Sequence, residues 1–324
     1  MYNQAEVVLA QYEIEIREIT KGRGSFICDT DKGKKVLVPF RGSQEKGMLL
    51  CHFLADLEER GFSVEQIELT QKKEALSLDE GTGESFLLKT YVEGVEINTS
   101  KWEEMKQAVC LLANYHNIAE QISLETMTGQ SPQSLSEIWS RHYRELMKAR
   151  AYMRAHRKKG EFEQIYMQNF EHNRKSAEDA LELLEKISEH ALRYVICHGD
   201  CNQHNMVRCG NEYRMIHFEN FSYRWAMSDL ANFLRKMLEK NEWDIQLGRT
   251  LMEEYDAHRP LLKEEYRQLY CLLLFPEKFW KVTNHYMNAR KTWISARDID
   301  KLKKVIDQEE KRLNFMENVF SFLK

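Results

Sequence analysis

Residues 193–221 read RYVICHGDCNQHNMVRCGNEYRMIHFENF. Three runs in this stretch are rich in β-branched and aromatic residues, and polar loops separate them, which predicts three short strands. The first loop holds His198-Gly199-Asp200, then four residues and Asn205, and the last of the three predicted strands includes Met215–Glu219. A loop carboxylate can accept a proton from a hydroxyl, and an amide oxygen suits a hard cation. The stretch therefore predicts a reactive loop between short strands.

The part of the chain before residue 95 predicts a small sheet. Segments 12–19, 25–30 and 34–40 have strand character, and the GRG and DKG sequences between them are typical of turns. Residues 43–61 predict one helix with Ser43 as its N-cap. Further strands are predicted near 67–70 and over 85–92. Together these segments indicate an antiparallel β meander with one helix.

The remainder of the chain is dominated by helical periodicity, interrupted only by the stretch at 193–221. The predicted helices cover 100–122, 132–158, 161–190, 228–240, 244–257, 262–274, 276–290 and 297–322. We therefore predict an α+β fold of two lobes. Residues 1–94 form a small antiparallel β lobe with one helix, and residues 95–324 form a larger, mainly helical lobe that carries the hairpin 193–221. A cleft is expected between the two lobes.

Composition excludes several classes of protein. The 324 residues carry a net charge of −4, so no global basic field would draw the chain to nucleic acid or to an acidic membrane. No apolar run is long enough to span a membrane, and the first residues lack the pattern of a secretory signal, so a cytoplasmic location is predicted. Seven scattered cysteines without a CxxC pair indicate reduced thiols.

The loop and the segment after it resemble a known superfamily. They are similar to the HGDxxxxN loop and the I-D-F-[DE] strand of aminoglycoside and choline kinases, which are related to the HRDxxxxN and DFG motifs of protein kinases. The resemblance implies that Asp200 is the catalytic base in a loop with His198 and Gly199, and that Asn205 binds magnesium. It also implies that Asp229 begins a helix and braces the loop. ATP, Mg²⁺ and a small-molecule acceptor are then the expected ligands of an active enzyme.

A closer resemblance covers nearly the whole chain. The segments LKTYVEG (88–94), DLANFLRKMLEKNEWD (229–244) and LLLFPEKFWKVTNHYMNARKTWIS (272–295) resemble the CotS-like spore coat proteins of endospore-forming bacteria, a branch of the same superfamily. This resemblance implies deposition on the spore coat and coat-protein partners. In the first segment, Lys89 and Tyr91 are candidate nucleotide-binding residues.

Two positions depart from the superfamily pattern. His217 stands where a metal-binding aspartate is expected, and imidazole is a poor ligand for magnesium. Glu219 would lie on the same face of a strand, so its carboxylate is a candidate replacement. The third strand lacks the expected phosphate-binding lysine near Val38, which leaves Arg41 as a candidate nucleotide-binding cation.

These departures leave two functions open. The first is a kinase-like spore coat protein with weakened catalysis, and the alternative is an active ATP-dependent phosphotransferase that acts on a hydroxyl of an unidentified acceptor. Two local alternatives also remain. Gly22 and Gly24 suit a tight hairpin turn better than a phosphate-covering loop. A zinc site remains a minor alternative for four residues around the loop: Cys197, Cys201, His204 and Cys209.

Overall fold

A computed structural model describes residues 2–122, 134–187, 193–289 and 296–323. The N-terminal region is one antiparallel sheet in the order β1-β2-β3-β6-β4, with β5 also paired to β6. Its strands are β1 (Ile16–Lys21), β2 (Phe26–Thr30), β3 (Gly33–Phe40), β4 (Ile67–Glu68), β5 (Leu76–Asp79) and β6 (Glu84–Thr90). Its helices are α1 (Tyr2–Leu9) and α2 (Gln44–Glu59).

The central strand β3 is buried on both faces because a helix covers each side of the sheet. Val36 and Val38 belong to the apolar cluster that includes the buried face of α2, and Leu37 between them packs in the cluster formed with α1. Helix α2 begins where the sequence predicts, since the Ser43 hydroxyl accepts a hydrogen bond from the Lys46 amide at 3.3 Å. Helix α1 and strand β5 were not predicted.

The C-terminal region is mainly helical, which confirms the predicted α+β class. Its helices are α3 (Trp102–Ala119), α4 (Leu135–Ala155), α5 (Glu161–Glu185), α6 (Ala226–Lys240), α7 (Ile245–His258), α8 (Lys263–Leu274), α9 (Glu277–Asn288), α10 (Ala296–Asp307) and α11 (Glu309–Val319). The single helix predicted over 297–322 is wrong, because α10 and α11 are separate. At their junction, buried Gln308 donates through Nε2 to the Glu239 carbonyl at 2.8 Å.

Short strands interrupt the helices near the predicted reactive loop. They are β7 (Val95–Glu96), β8 (Tyr194–Cys197), β9 (Met206–Cys209), β10 (Glu212–Met215) and β11 (Ser222–Trp225). Strand β9 lies between β10 and β7, and β8 pairs with β11. The helix ends predicted at 132–133, 188–190 and 290, and the last residues of the segment 272–295, lie outside the described residues.

Tyr115 of α3 joins the apolar cores of the two regions. Its ring centroid lies 6.5 Å from that of Phe53 in α2 and 5.7 Å from that of Phe218, which follows β10. These contacts fix the sheet against the segment that follows the reactive loop. All seven cysteines are free thiols. Among the described helices, none has the length and apolar character needed to cross a bilayer.

Candidate active site

The loop from His198 to Asn205 connects β8 to β9 and is held by Asp229 near the start of α6. The His198 and Gly199 amides donate to the two Asp229 carboxylate oxygens at 2.6 and 2.9 Å. Burial would raise the pKa of Asp229, but His116, His198 and the Gly199 amide hold it below its usual range. The buried carboxylate therefore stays charged and fixes the first two residues of the loop.

Gly199 allows the loop to lie directly against the segment that follows β10. Its φ is +83°, and a Cβ atom there would lie 2.1 Å from the Asn220 carbonyl oxygen. No larger residue fits this backbone position without movement. His198 adds a second contact, because its Nε2 lies 2.9 Å from the Ile216 carbonyl oxygen.

Asp200 and Asn205 are coupled inside this loop. The Asn205 amide nitrogen donates to the Asp200 carbonyl at 2.9 Å and to the Asp200 carboxylate at 3.1 Å. These bonds use the amide nitrogen and leave the amide oxygen of Asn205 available as a ligand. Both residues line a cavity of about 500 Å³ between the sheet and the helical region.

The strand predicted over Met215–Glu219 is wrong beyond Met215. His217 has φ 69° in the left-handed region, and residues 218–220 form a turn of 3₁₀ helix. Glu219 therefore does not share a strand face with His217, contrary to the sequence-based prediction. The turn still brings the two side chains together, with His217 Nδ1 3.6 Å from Glu219 Oε1, and both residues line the cavity.

Lys89 of β6 lies behind these residues as a buried cation. Its ammonium has no exposed surface, contacts the Glu219 carboxylate and lies 2.7 Å from Glu65 Oε1. Glu65 in turn accepts the His217 amide at 2.8 Å. This cluster of Lys89, Glu65 and Glu219 links the sheet to the segment after the loop. In it, one ammonium contacts two carboxylates.

The charges in this group stabilise one another. Burial alone would lower the pKa of Lys89, but Glu65 and Glu219 raise it above its ordinary value. Burial would raise the pKa of Glu219, but Lys89 and His217 hold it far below its usual range. Lys89 and Glu219 are therefore both charged at neutral pH.

The other predicted nucleotide-binding residues lie at different depths. Tyr91 lines the cavity beside Val36 and Ile216. Arg41 is exposed beyond the end of β3 and lies outside the described cavity lining. Val38 is buried in the apolar core at the position where a lysine was expected. On the adjacent strand, Lys89 pairs with Val36, so an ammonium does reach this region from β6.

Sequence reasoning missed three charged residues around the cavity. Arg23, in the turn between β1 and β2, lies 3.2 Å from His204 Nδ1, and Glu96 lies 2.6 Å from the same atom. An arginine between two glycines in a hairpin was the available signal for Arg23. Glu65 had no local signal, because its partners lie 24 and 152 residues away in the chain.

A second cavity of about 240 Å³ lies on the other side of the loop. Helices α4, α6 and α9 supply most of its lining, and Arg224 of β11 adds to it. Asp200 lines both cavities. No local sequence pattern indicates this cavity, because its lining comes mostly from separate helices.

The minor zinc alternative finds no support in the geometry. Within the described ranges, the one convergent set of metal-binding side chains is Cys110, Glu254 and His258, away from the loop. Cys197 and Cys201 are buried, and burial raises the pKa of both thiols well above the usual range. Neutral thiols are poor zinc ligands.

The chain matches the model of one protein family and resembles several solved structures. The family is described as Spore coat putative kinase YutH, and the match covers residues 5–319. An aminoglycoside phosphotransferase from Alicyclobacillus acidocaldarius is 19% identical with a TM-score of 0.82, covering 98% of this chain and 96% of that one.

Two further structures extend this similarity. An amicoumacin kinase in complex with AMP-PNP and Ca²⁺ is 13% identical with a TM-score of 0.66, covering 96% of this chain and 92% of that one. A choline kinase from Streptococcus pneumoniae is 15% identical with a TM-score of 0.54, covering 94% and 96%. At these identities the similarity shows the fold, and it confirms the predicted kinase-like architecture.

Proposed function

Because this chain belongs to the YutH family of kinase-like spore coat proteins, we propose that it is a slow, magnesium-dependent phosphotransferase acting on a small hydroxyl compound. The observation that carries this proposal is the position of Asp200, which lines both cavities. A phosphotransferase needs one site for the nucleotide and one for the acceptor, with a proton acceptor where they meet.

The larger cavity suits the nucleotide. Its volume of about 500 Å³ lies in the range of small-molecule sites. Apolar side chains from both regions form part of its lining and would contact the purine base of the nucleotide. They are Ile27, Val36, Val207 and Ile216. Tyr91 and Gly94 line the same cavity where the chain passes from the sheet to the helical region.

Asp200 would act on the acceptor hydroxyl. In the proposed reaction, the hydroxyl oxygen forms a bond to the γ-phosphorus, the bond from that phosphorus to the β-phosphate oxygen breaks, and ADP leaves. The hydroxyl proton passes to the Asp200 carboxylate. Asn205 orients this carboxylate through its bond at 3.1 Å, and Asp229 fixes the backbone before it.

The oxygen atoms around the larger cavity fit a magnesium ion. Glu219 offers a carboxylate, and Asn205 offers the amide oxygen that its own hydrogen bonds leave free. Hard oxygen ligands are those that Mg²⁺ prefers. When bound, the ion would neutralise charge on the nucleotide phosphates.

Two features support a slow reaction. Glu219 is shared with Lys89, and His217 occupies the position of the expected aspartate, so the metal site is weaker than in the superfamily pattern. Lys89 is enclosed by two carboxylates and has no exposed surface with which to contact a phosphate. Since positioning and charge stabilisation supply most of the rate in phosphoryl transfer, both features should lower it.

The location and the lobe boundary are part of the same proposal. Family membership supports association with the spore coat and with coat proteins there. A boundary between residues 94 and 95 is supported by the strand pairing, because β6 belongs to the N-terminal sheet whereas β7, which begins at Val95, pairs with β9.

Two measurements on the purified protein test this proposal. ADP should raise its melting temperature only with magnesium present, and at a hundredfold excess over the dissociation constant it should stabilise the fold by about 2.7 kcal/mol. ATP turnover should be detectable, and Asp200→Asn should lower it by about 10²- to 10⁴-fold while the ADP shift remains.

Asp300→Asn is the matched control, since Asp300 is exposed on α10, far along the chain from the loop. It should leave both measurements unchanged. The absence of any nucleotide shift, with or without magnesium, would overturn the proposal. Magnesium-dependent ADP binding without turnover above the Asp200→Asn level would instead support a kinase-like coat protein that has lost catalysis.

A further inference from the structure

The smaller cavity is rich in cationic side chains. Four line it, and they come from three elements: Arg224 of β11, Arg235 and Lys236 of α6, and Lys281 of α9. The carboxylates in the same lining are Asp200, Asp229 and Glu277. Two of these are already engaged with protein groups, because Asp229 accepts the loop amides and Glu277 lies 3.2 Å from Lys281.

The remaining charges separate into paired and unpaired cations. Arg235 contacts Glu239 at 3.1 Å and Asn232 at 2.9 Å. Within the described ranges, the charged ends of Arg224 and Lys236 have no hydrogen bond or ion pair with another residue. Two cations from different elements therefore line the cavity without forming an ion pair with a protein carboxylate.

Lys236 is held in an environment that disfavours its charge. The side chain is half-buried, and burial together with repulsion from Arg235 lowers the pKa of its ammonium, although Glu239 and Asp200 attract it. A half-buried cation that forms no ion pair lowers stability, so a bound anion would offset that loss. The arrangement is typical of a binding site whose ligand completes the charge balance.

Apolar side chains form the rest of the wall. Leu135, Ile138 and Trp139 of α4 and Leu272 of α8 line the cavity, and the Trp139 ring is stacked on Phe275 at a centroid distance of 4.4 Å. A rigid apolar wall opposite a group of cations suits a short carbon skeleton that carries an anionic group. The volume of about 240 Å³ limits this ligand to a small molecule.

We infer that the acceptor is a small hydroxyl compound bearing an anionic group, a phosphate or a carboxylate, which is held by Lys236 and Arg224 while its hydroxyl lies at Asp200. This inference deepens the proposed function and rests on it. Acceptors whose recognition depends on an amine are disfavoured, because like charges would be brought together at Lys236 and Arg224. The anion holds one end of the molecule and thereby positions the hydroxyl at the other.

The test compares four hydroxyl compounds of similar size and different charge. Glycerol 3-phosphate and glycerate are anions, glycerol is neutral and choline is a cation. Both anions, or either one, should raise the melting temperature of the wild-type protein, and glycerol and choline should not. Lys236→Met, which keeps an apolar chain of similar length, should weaken anion binding by about tenfold to a hundredfold.

Lys240→Met is the matched control, because Lys240 is exposed at the last turn of the same helix and outside the described lining of the cavity. It removes the same charge and should bind the anions as wild type does. Lys236→Arg should retain most of the binding. Without ligand, Lys236→Met should melt no lower than wild type, because the substitution removes a half-buried unpaired charge.

Two outcomes would overturn the inference. One is equal anion binding by Lys236→Met and Lys240→Met, which would place the anion elsewhere. The other is stabilisation by choline but by neither anion. Because ADP binding is measured separately, its failure would count against the proposed phosphotransferase function, whereas an anion shift lost only in Lys236→Met would still establish an anion site.

Discussion

The two cavities that meet at Asp200 have opposite electrostatic character. The larger one is lined by the carboxylates of Glu65, Glu96 and Glu219 in addition to Asp200, and Arg23 is the cation in its described lining. The smaller one is lined by four cations and three carboxylates, and within the described ranges Arg224 and Lys236 form no ion pair. A single loop residue thus separates an acidic site from a basic one.

This difference indicates how each site would accept an anionic ligand. The acidic cavity needs an added cation before it can hold nucleotide phosphates, which supports the proposed dependence on magnesium. The basic cavity supplies its own positive charge and needs no metal. The contrast therefore supports the proposed placement of the metal and the nucleotide on one side of Asp200 and of the anionic acceptor on the other.

The largest expected effect comes from removing the cation behind the acidic cavity. Lys89→Met would leave Glu65 and Glu219 buried without their counter-ion, so the free energy of unfolding should fall by about 3–5 kcal/mol at pH 7. Chemical denaturation measures this change. Glycerol 3-phosphate binding by the variant that remains folded should be unchanged, because Lys89 does not contact the basic cavity.

The pH dependence of this loss has a definite sign. In the wild type, Glu219 has a lowered pKa, so its stabilising contribution is present above the unfolded carboxyl pKa and is lost only as pH falls through the much lower folded value. In Lys89→Met the buried Glu219 carboxylate would lose the group that lowers its pKa, so it would be protonated more readily. The stability difference between wild type and variant should therefore be smaller at pH 5 than at pH 7, and a constant difference would contradict the assignment of the charges.

Lys35→Met is a suitable control, because Lys35 lies on β3, pairs with Glu68 and lies outside the described lining of both cavities. Its partner is about one-third exposed, at 32% of the side-chain surface. Water can solvate that carboxylate once the lysine is gone, so the loss of stability should be smaller than for Lys89→Met. Equal losses would show that burial of the ion pairs of Lys89 with Glu65 and Glu219 does not increase their contribution to stability.

The next effect concerns the contact between the two cavities. Gly199 lines the basic cavity, and it touches Asn220, which lines the acidic one. Gly199→Ala adds a methyl group 2.1 Å from the Asn220 carbonyl oxygen at a left-handed backbone position. The free energy of unfolding should fall by about 1–2 kcal/mol for the backbone strain and by about 1–3 kcal/mol more for the overlap.

Gly210→Ala separates these two contributions. Gly210 has φ +66°, and a Cβ atom there would meet nothing within 4 Å. This control should show the backbone strain alone, so it should lose less stability than Gly199→Ala in the same denaturation experiment. If both variants lose the same amount, the close packing of the two cavity walls does not contribute.

The fold and the loop could be predicted because their signals are local. Strand and helix periodicity lies within each segment, and the spacing of Asp200 and Asn205 lies within one loop, so the hydrogen bonds between them follow from the local chain. Asp229 was recognisable as a residue near a helix start. Helix α1 was not predicted, because its apolar residues are buried only through contact with the sheet. These residues are Ala5, Val8 and Leu9.

The surroundings of the loop could not be predicted, because they depend on contacts between distant segments. Lys89 meets Glu219 across 130 residues, and no pattern in either segment indicates the other. The segment at His217 was predicted to be a strand. Instead, His217 has a left-handed backbone and the turn that follows places Glu219 in the cavity lining. The basic cavity combines residues of β11, α6 and α9, which are brought together only by helix packing.

The smallest expected effect sharpens the assignment of the acidic cavity to the metal. His217→Asp places a carboxylate near Glu219, where the His217 ring nitrogen now lies 3.6 Å away. Aspartate is among the residues that adopt left-handed backbone most readily, so the φ of 69° should be kept. Calorimetry should show about a tenfold gain in affinity for ADP with magnesium, worth about 1.4 kcal/mol, since a further oxygen ligand becomes available.

His217→Asn is the matched variant, because it has the same shape as aspartate without the charge. It should leave ADP affinity close to that of wild type. Without magnesium, His217→Asp should show no gain in ADP affinity, because the new carboxylate repels the phosphates. An equal gain in both variants, or a gain without magnesium, would mean that the acidic cavity does not hold the metal. The acidic character of the larger cavity would then not explain nucleotide binding. The proposed anion site at Lys236 would still be tested independently.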